Sequence, residues 1–295
     1  MKKEIQEANT VIAIDWSGRV DLSGQRRHIV AAIWQHGKVR IESGRTRDEV
    51  TDWLIALKKQ NSAIAVGFDF CFSFPAWFVH DEHGAQTAPE FWRKVVAEHG
   101  ERWLSRESHD RRFWGKPHKR PAEFSGEHLH RMLRATDIDC KLIAHIPEEE
   151  RQMRVKGITP KSVFQIGGSG SVGTASLRGM STLVRLQDAG FHIWPFDAPG
   201  LPVVVEMYSR LNTGQVHKSN PMARAAYLLA KRKSDPAYTA LSRAVLNKAK
   251  TSEDAFDALV SCMVMTERRA EFATLPKPRD RNYPLEGWTW APEPR

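Results

Sequence analysis

Cysteine is scarce in this chain of 295 residues: Cys71, Cys140 and Cys262 stand far apart, odd in number and without a CxxC pair. That excludes a disulfide framework and a structural zinc site, and Cys71 and Cys262, in apolar stretches, read as core residues. No apolar run approaches the roughly 20 residues that cross a bilayer. Residues 1–10 carry Lys2 and Lys3 but no apolar signal-peptide core. The protein is therefore expected to be cytoplasmic, with no membrane partner. Acid is in deficit as well, with 35 Asp and Glu against 44 Lys and Arg, a formal net charge of +9. Such a balance favours polyanionic partners, nucleic acid above all, although a solvated basic surface serves solubility alone. What the chain does have is core material: 41% hydrophobic residues, including 10 Trp and 13 Phe. There is no internal repeat or low-complexity segment.

Strands are expected at residues 11–16, 28–34 and 38–43, the last two joined through Gln35-His36-Gly37 as a hairpin. Val50, Trp53, Leu54 and Leu57 recur at helical spacing and predict an amphipathic helix over 46–60. A further strand over 63–70 completes a β-β-β-α-β order, which implies a mixed sheet with its first strand central. After residue 160 the pattern predicts a strand at 162–166, a helix near 174–189 and strands at 191–196 and 202–207. Helices follow at 222–232, 236–248 and 253–268. The tail from residue 276 reads as irregular, with Trp288 and Trp290 able to dock on the body. The whole chain, 1–295, is read as a single α/β domain with a basic, mostly helical insertion over approximately 75–160.

Carboxylates stand at the ends of the apolar runs. Asp15 closes Val11-Ile12-Ala13-Ile14, Asp69 follows Ile64-Ala65-Val66-Gly67-Phe68, and Glu206 follows Val203-Val204-Val205. A carboxylate beside a buried strand is costly unless it is paired, hydrogen-bonded or bound to a metal. Two of them about 4 Å apart repel by roughly 4 kcal/mol at an effective dielectric near 20, and a divalent cation is the usual remedy. Asp254 and Asp257, three apart at the head of the last helix, share one helix face. Thr251-Ser252-Glu253-Asp254 has the pattern of a capping box, which offers Asp254 a structural role; Asp257 has none. Glu206 reads either as a further ligand or as the partner of an arginine.

Two other signals compete. Gly168-Ser169-Gly170-Ser171-Val172-Gly173 matches GxGxxG between an expected strand and an expected helix, with Asp197 near the place of a ribose-binding acid. Gly168, Gly170 and Gly173 are thus candidate phosphate contacts, of a nucleotide or of nucleic acid. Between Arg93 and Arg134, basic residues are interleaved with Trp92, Trp103, Phe113, Trp114 and Phe124. The densest part contributes Arg111, Arg112, Trp114, Lys116, Lys119 and Arg120 as candidate nucleic-acid contacts, the cations following phosphates and the indole stacking on bases. The alternative is that the aromatics anchor the insertion to the core while the charges face water. His128 and His130 lack the companions of a zinc site.

Ile14-Asp15-Trp16-Ser17-Gly18, Gly67-Phe68-Asp69-Phe70, Val205-Glu206-Met207-Tyr208 and Asp254-Ala255-Phe256-Asp257-Ala258-Leu259 resemble the motifs of the ribonuclease-H-like superfamily. In particular they resemble those of a family of predicted nucleases, domain of unknown function 429. The glycine stretch 164–179 and Trp194-Pro195-Phe196-Asp197 are similar to that family too. The acid pattern is closest to Holliday-junction resolvases, which also end in a helix bearing two acids three apart but usually carry Glu at the place of Asp69. The resemblance implies a metal-dependent nuclease with two Mg²⁺ or Mn²⁺ ions about 3.5–4 Å apart. Asp15 would bridge them, Asp69 and Asp257 would hold one each, and Asp254 or Glu206 would complete the shell. Actin-like phosphotransferases share the superfamily fold, and Asp15-Trp16-Ser17-Gly18 also resembles their first phosphate turn. The rival readings are therefore a nucleotide-hydrolysing or dinucleotide-binding enzyme using the glycine turn, or a non-catalytic nucleic-acid-binding protein whose acids are structural.

Overall fold

The computed structural model describes residues 7–105, 110–115, 120–124, 129, 131–143, 160–168 and 171–292. The strands are β1 (Thr10–Asp15), β2 (Val30–Gln35), β3 (Lys38–Ser43), β4 (Ile64–Phe68), β5 (His192–Ile193), β6 (Val203–Met207) and β7 (Thr289–Trp290). Helices α1 (Leu22–His28) and α2 (Arg47–Gln60) belong to the first third. They are followed by α3 (Ala88–Lys94), α4 (Gly100–Leu104), α5 (Ala135–Ile143) and α6 (Val172–Asp188). The last third holds α7 (Ser209–Thr213), α8 (Pro221–Ser234), α9 (Pro236–Thr239), α10 (Arg243–Thr251), α11 (Glu253–Glu267) and α12 (Tyr283–Glu286). Among the described residues no helix is long and apolar enough to cross a membrane.

The protein is an α/β structure with a mixed seven-stranded sheet in the order β3-β2-β1-β4-β6-β5, β7 pairing with β6. β2 is antiparallel to both β1 and β3, whereas β1, β4, β6, β5 and β7 run parallel. The β2–β3 turn places His36 and Gly37 at φ of 49° and 76°, the left-handed pair that suits the twist of a tight hairpin. α2 starts on a capping box, in which Thr46 and Glu49 satisfy each other's backbone N–H.

Side chains alternate across a sheet, and the two faces divide accordingly. Ile12, Ile14, Val66 and Phe68 pack with Leu54 of α2, with Leu177 and Leu183 of α6, and with an aromatic cluster that includes Phe74, Phe78, Phe91, Trp103, Phe113 and Phe164. Val11, Ala13, Ala65, Val203 and Val205 pack on the opposite face against Ala255, Ala258, Cys262 and Met265 of α11. Trp92, Trp103, Phe113 and Trp114 of the expected insertion therefore belong to the first core cluster.

Four local expectations are corrected. Residues 22–28 form a helix, capped by Asp21 accepting from Gly24 N–H, so His28 ends α1 instead of opening β2. Residues 162–166 are a turn whose only bridge joins Trp114 to Gln165, because Val163 and Phe164 turn into the aromatic core. The helix expected over 236–248 is two, α10 restarting where Ser242 accepts from Val245 N–H. In the tail, Trp290 lies in β7 and packs on Phe272 at 5.1 Å.

Candidate active site

Strand periodicity selects which acids meet. Asp15 falls on the same face as Val11 and Ala13. The Asp69 N–H donates to Ile14 O at 3.1 Å, which continues the ladder one residue past β4 and places Asp69 in line with Ala65. Both acids thus stand on the α11 side of two adjacent parallel strands, at the ends where the chain leaves the sheet. α11 arrives on that side with Asp254 in its first turn and Asp257 one turn further. Ser252 caps it by accepting from Ala255 N–H at 3.2 Å. The capping box expected of Thr251 and Asp254 is therefore absent, and the Asp254 carboxylate lies 3.0 Å from His28 Nδ1 instead.

Asp257 is only 2% exposed, while Asp15, Asp69 and Asp254 are half-buried. Burial pushes the Asp15 carboxyl well above the usual aspartate range, and the charges of Asp257, Asp69 and Asp254 push it further. Burial raises Asp69 too, against the Lys218 charge and hydrogen bonds from Ser209, and the Glu206 charge adds to the rise. Asp257 is raised to about 6, burial outweighing the opposing pull of Lys218, with Asp69 and Glu253 adding to the rise. These effects mark one electrostatic unit assembled from three distant segments, and a unit short of positive charge.

Lys218, in the turn between α7 and α8, supplies what positive charge there is. Its ammonium donates to Asp257 Oδ2 and lies 3.9 Å from Glu253. Burial alone would lower its pKa, but Asp257, then Asp69 and Asp15, hold it above the ordinary lysine value. Ser209 Oγ reaches Asp257 Oδ2 at 3.4 Å and its N–H reaches Asp69 Oδ1 at 3.5 Å. Asp257 Oδ1 is buried with no hydrogen-bond partner among the described residues. Lys218, Ser209 and His28 went unread in the sequence, where nothing in a polar turn, a short helix or a presumed strand start marks them.

Among the described residues no three His, Cys, Asp or Glu side chains converge, as they stand, closely enough to hold a metal ion. Two features nevertheless fit a divalent cation. The donors are hard carboxylate oxygens of the kind Mg²⁺ and Mn²⁺ take, and the Asp257 Oδ1 orphan is a buried acceptor that a cation would satisfy.

Glu206 is the arginine's partner: its charge reaches Asp69, but both its oxygens are taken up by Arg134. It shares the sheet face of Val204, away from α11, where Arg134 donates to Oε1 at 2.6 Å and to Oε2 at 2.7 Å. Phe72 N–H and Thr289 Oγ1 add bonds of 2.8 Å each. Arg134 is 1% exposed and also grips Asp137, so the group is a buried clamp joining β6, α5 and β7.

The remaining candidates divide. Trp114 is 6% exposed and lies in the aromatic cluster, which removes it as a base-stacking surface. Arg112 is held by Asp110 and Glu82 and lies 4.9 Å over the Phe78 ring, so its charge is already spent on protein carboxylates. Arg111 is exposed, 3.5 Å from Glu123, and Arg120 is exposed. Lys116, Lys119 and Gly170 lie outside the described residues. Gly168 has φ +81° with open space beside it, whereas a Cβ at Gly173 would fall 2.1 Å from Val163 O; close packing therefore accounts for Gly173. Among the described residues no strand directly precedes this turn, and Asp197 accepts from Ile193 N–H and Gln187, so the described residues do not supply the β-α-β context of a dinucleotide site. Gly18 approaches α6 so closely that a Cβ would lie 2.7 Å from Ala175 N, which seats the turn after Asp15 on the start of that helix.

Comparison with protein-family models, with curated proteins and with solved structures finds no match for this chain.

Proposed function

We propose that the chain is a metal-dependent hydrolase of phosphodiester bonds, a nuclease, on a ribonuclease-H-like sheet. The observation that carries this reading is the meeting of Asp15, Asp69 and Asp257, from β1, the end of β4 and α11, in one partly buried cluster, in which Asp257 and Asp69 raise the Asp15 carboxyl and Asp69 raises that of Asp257. Such a cluster costs stability, and a structural role does not explain it, because the Asp257 Oδ1 orphan shows the acids are not consumed by internal hydrogen bonds. The sheet order, with an antiparallel three-strand start, a helix, and a parallel strand returning beside the first, is the arrangement that the resemblance implies.

Bound Mg²⁺ or Mn²⁺ would activate water and stabilise the leaving oxygen of a phosphodiester. Asp15, Asp69 and Asp257 would hold the ion, with Asp254 at the edge of the cluster. Lys218 brings an ammonium to the same place, suited to the charge on a phosphate. The excess of Lys and Arg over acids favours approach of a polyanion.

The test is cleavage of labelled single-stranded and duplex DNA, a four-way junction and RNA with Mn²⁺ or Mg²⁺. Cleavage that stops on chelation and in Asp15→Asn supports the reading. Absence of cleavage of every substrate, or equal cleavage by Asp15→Asn, counts against it.

A further inference from the structure

We infer that Arg47, with Arg178 beside it, forms a phosphate subsite on the turn that follows Asp15, and that this subsite takes a backbone phosphate of the nucleic acid near the bond being cleaved. The nucleic acid in this inference rests on the nuclease reading above, which it deepens; the anion site itself does not.

Two guanidinium groups grip the turn. Arg47 Nη1 donates to Ser17 O at 3.0 Å and to Arg19 O at 2.6 Å, and Arg178 Nη1 donates to Gly18 O. Three consecutive carbonyls thus face two cations. Gly18 follows Asp15 by three residues, so the grip lies within about 11 Å of that acid along the chain.

Bracing alone does not account for Arg47. The turn that carries Lys218 is also braced by arginines, Arg210 Nη1 donating to Val216 O at 2.7 Å and Arg224 Nη1 to Lys218 O. Arg224 is 3% exposed and uses all three nitrogens on carbonyls, Nε and Nη2 reaching Lys250 O at 3.1 and 2.8 Å. Arg47 is half-buried and uses only Nη1 of its side chain. Among the described residues its Nε and Nη2 bond nothing. The arginines around it have carboxylates: Arg26 has Glu49, Arg45 has Glu42 and Arg178 has Glu101. Arg47 has none within ion-pair distance among the described residues. Burial and then the Arg178 charge lower its pKa, against Glu101 and Asp48. Nε and Nη2 lie along one edge of the guanidinium, the fork that takes two oxygens of a phosphate. Contacts of this kind set the register of a nucleic acid on a protein.

Inorganic phosphate, added to the full chain without metal, is the probe. It should raise the melting temperature of the wild type beyond chloride at equal ionic strength, because a ligand of the folded state stabilises it. Arg47→Lys should keep part of that rise and Arg47→Met should lose it. An equal rise in wild type and Arg47→Met, or none in the wild type, overturns the inference. If Arg47→Met does not fold, the Arg47 Nε–H resonance of the wild type decides: it should move as phosphate is added, and a resonance that stays in place overturns the inference. With a single-stranded oligonucleotide, Arg47→Met should bind more weakly, and its log affinity should fall with log salt on a slope shallower by about one. An unchanged slope overturns the assignment of the subsite to a nucleic-acid phosphate. A phosphate response that depends on Arg47, in a protein that cleaves no nucleic acid, keeps the anion site and removes the nuclease. Cleavage without any phosphate response does the reverse.

Discussion

Lys218 and Asp257 form an ion pair that uses one oxygen of a nearly inaccessible carboxylate and leaves the other without a partner among the described residues. Buried carboxylates normally spend both oxygens, as Glu206 does a short distance away with Arg134, Phe72 and Thr289. The contrast separates two kinds of acid at the same end of the sheet. One is satisfied and ties elements together; the other is held in reserve among like charges.

The reserved acids should make the metal-free protein sensitive to pH. Asp257 titrates near 6 when folded, against an ordinary value of 3.8. Between those values the folded chain keeps a proton that the unfolded chain has lost, so the contribution of Asp257 to stability falls as pH rises from about 4 to about 6. Asp15 and Asp69, also raised, act with the same sign. Glu49, held down to about 2 by Arg26, acts in the opposite sense, but only below about pH 4.5. Thermal melts should therefore show a higher midpoint at pH 5 than at pH 7, and Asp257→Asn should shrink the difference. An unchanged pH dependence in Asp257→Asn would contradict the assignment.

Glu206→Gln should separate structure from site. Weakening one side of a buried ion pair leaves Arg134 with less compensation, and loss of a partner in such pairs typically costs about 3–5 kcal/mol; the amide retains some hydrogen bonds, so the expected loss is about 1–3 kcal/mol. Denaturant unfolding measures it. The Mn²⁺-induced rise in melting temperature should persist in this variant, and its disappearance would place Glu206 among the ligands.

Trp114→Ala should act on stability. The indole is buried in the aromatic cluster, and emptying such a position costs about 3–5 kcal/mol. Denaturant unfolding should show that loss. A variant as stable as the wild type but weaker in single-strand binding would restore the stacking role.

Much of this fold was legible because its signals were local. The apolar run closed by Asp15, the helical spacing of Val50, Trp53, Leu54 and Leu57 and the Asp254–Asp257 spacing each depend on a few neighbouring residues. The parity of Glu206 was legible too, since counting from Val203 and Val205 puts it on the face away from α11, but proximity to a strand end weighed more in the reading than the side it faces. Lys218 was not legible. Its role arises from a turn that Arg210 and Arg224 brace across the fold, and no sequence period records such a contact. Trp114 illustrates the remaining ambiguity: aromatics interleaved with arginines make the same pattern whether the rings stack on bases or on Phe113 and Phe164. α1, short and with little apolar periodicity, offered only its Asp21 cap as a signal.

The central claim is that Asp15, Asp69 and Asp257 form a cation site, and the melting temperature with and without Mn²⁺ tests it most directly. At roughly 100 times its dissociation constant an ion that binds only the folded state adds about 2.7 kcal/mol, or about 5 °C for a chain of this size. The wild type should gain that much. Asp15→Asn should melt above the metal-free wild type, because it removes one of the repelling charges, and should lose most of the Mn²⁺ gain. Equal Mn²⁺ shifts in wild type and Asp15→Asn would contradict the account.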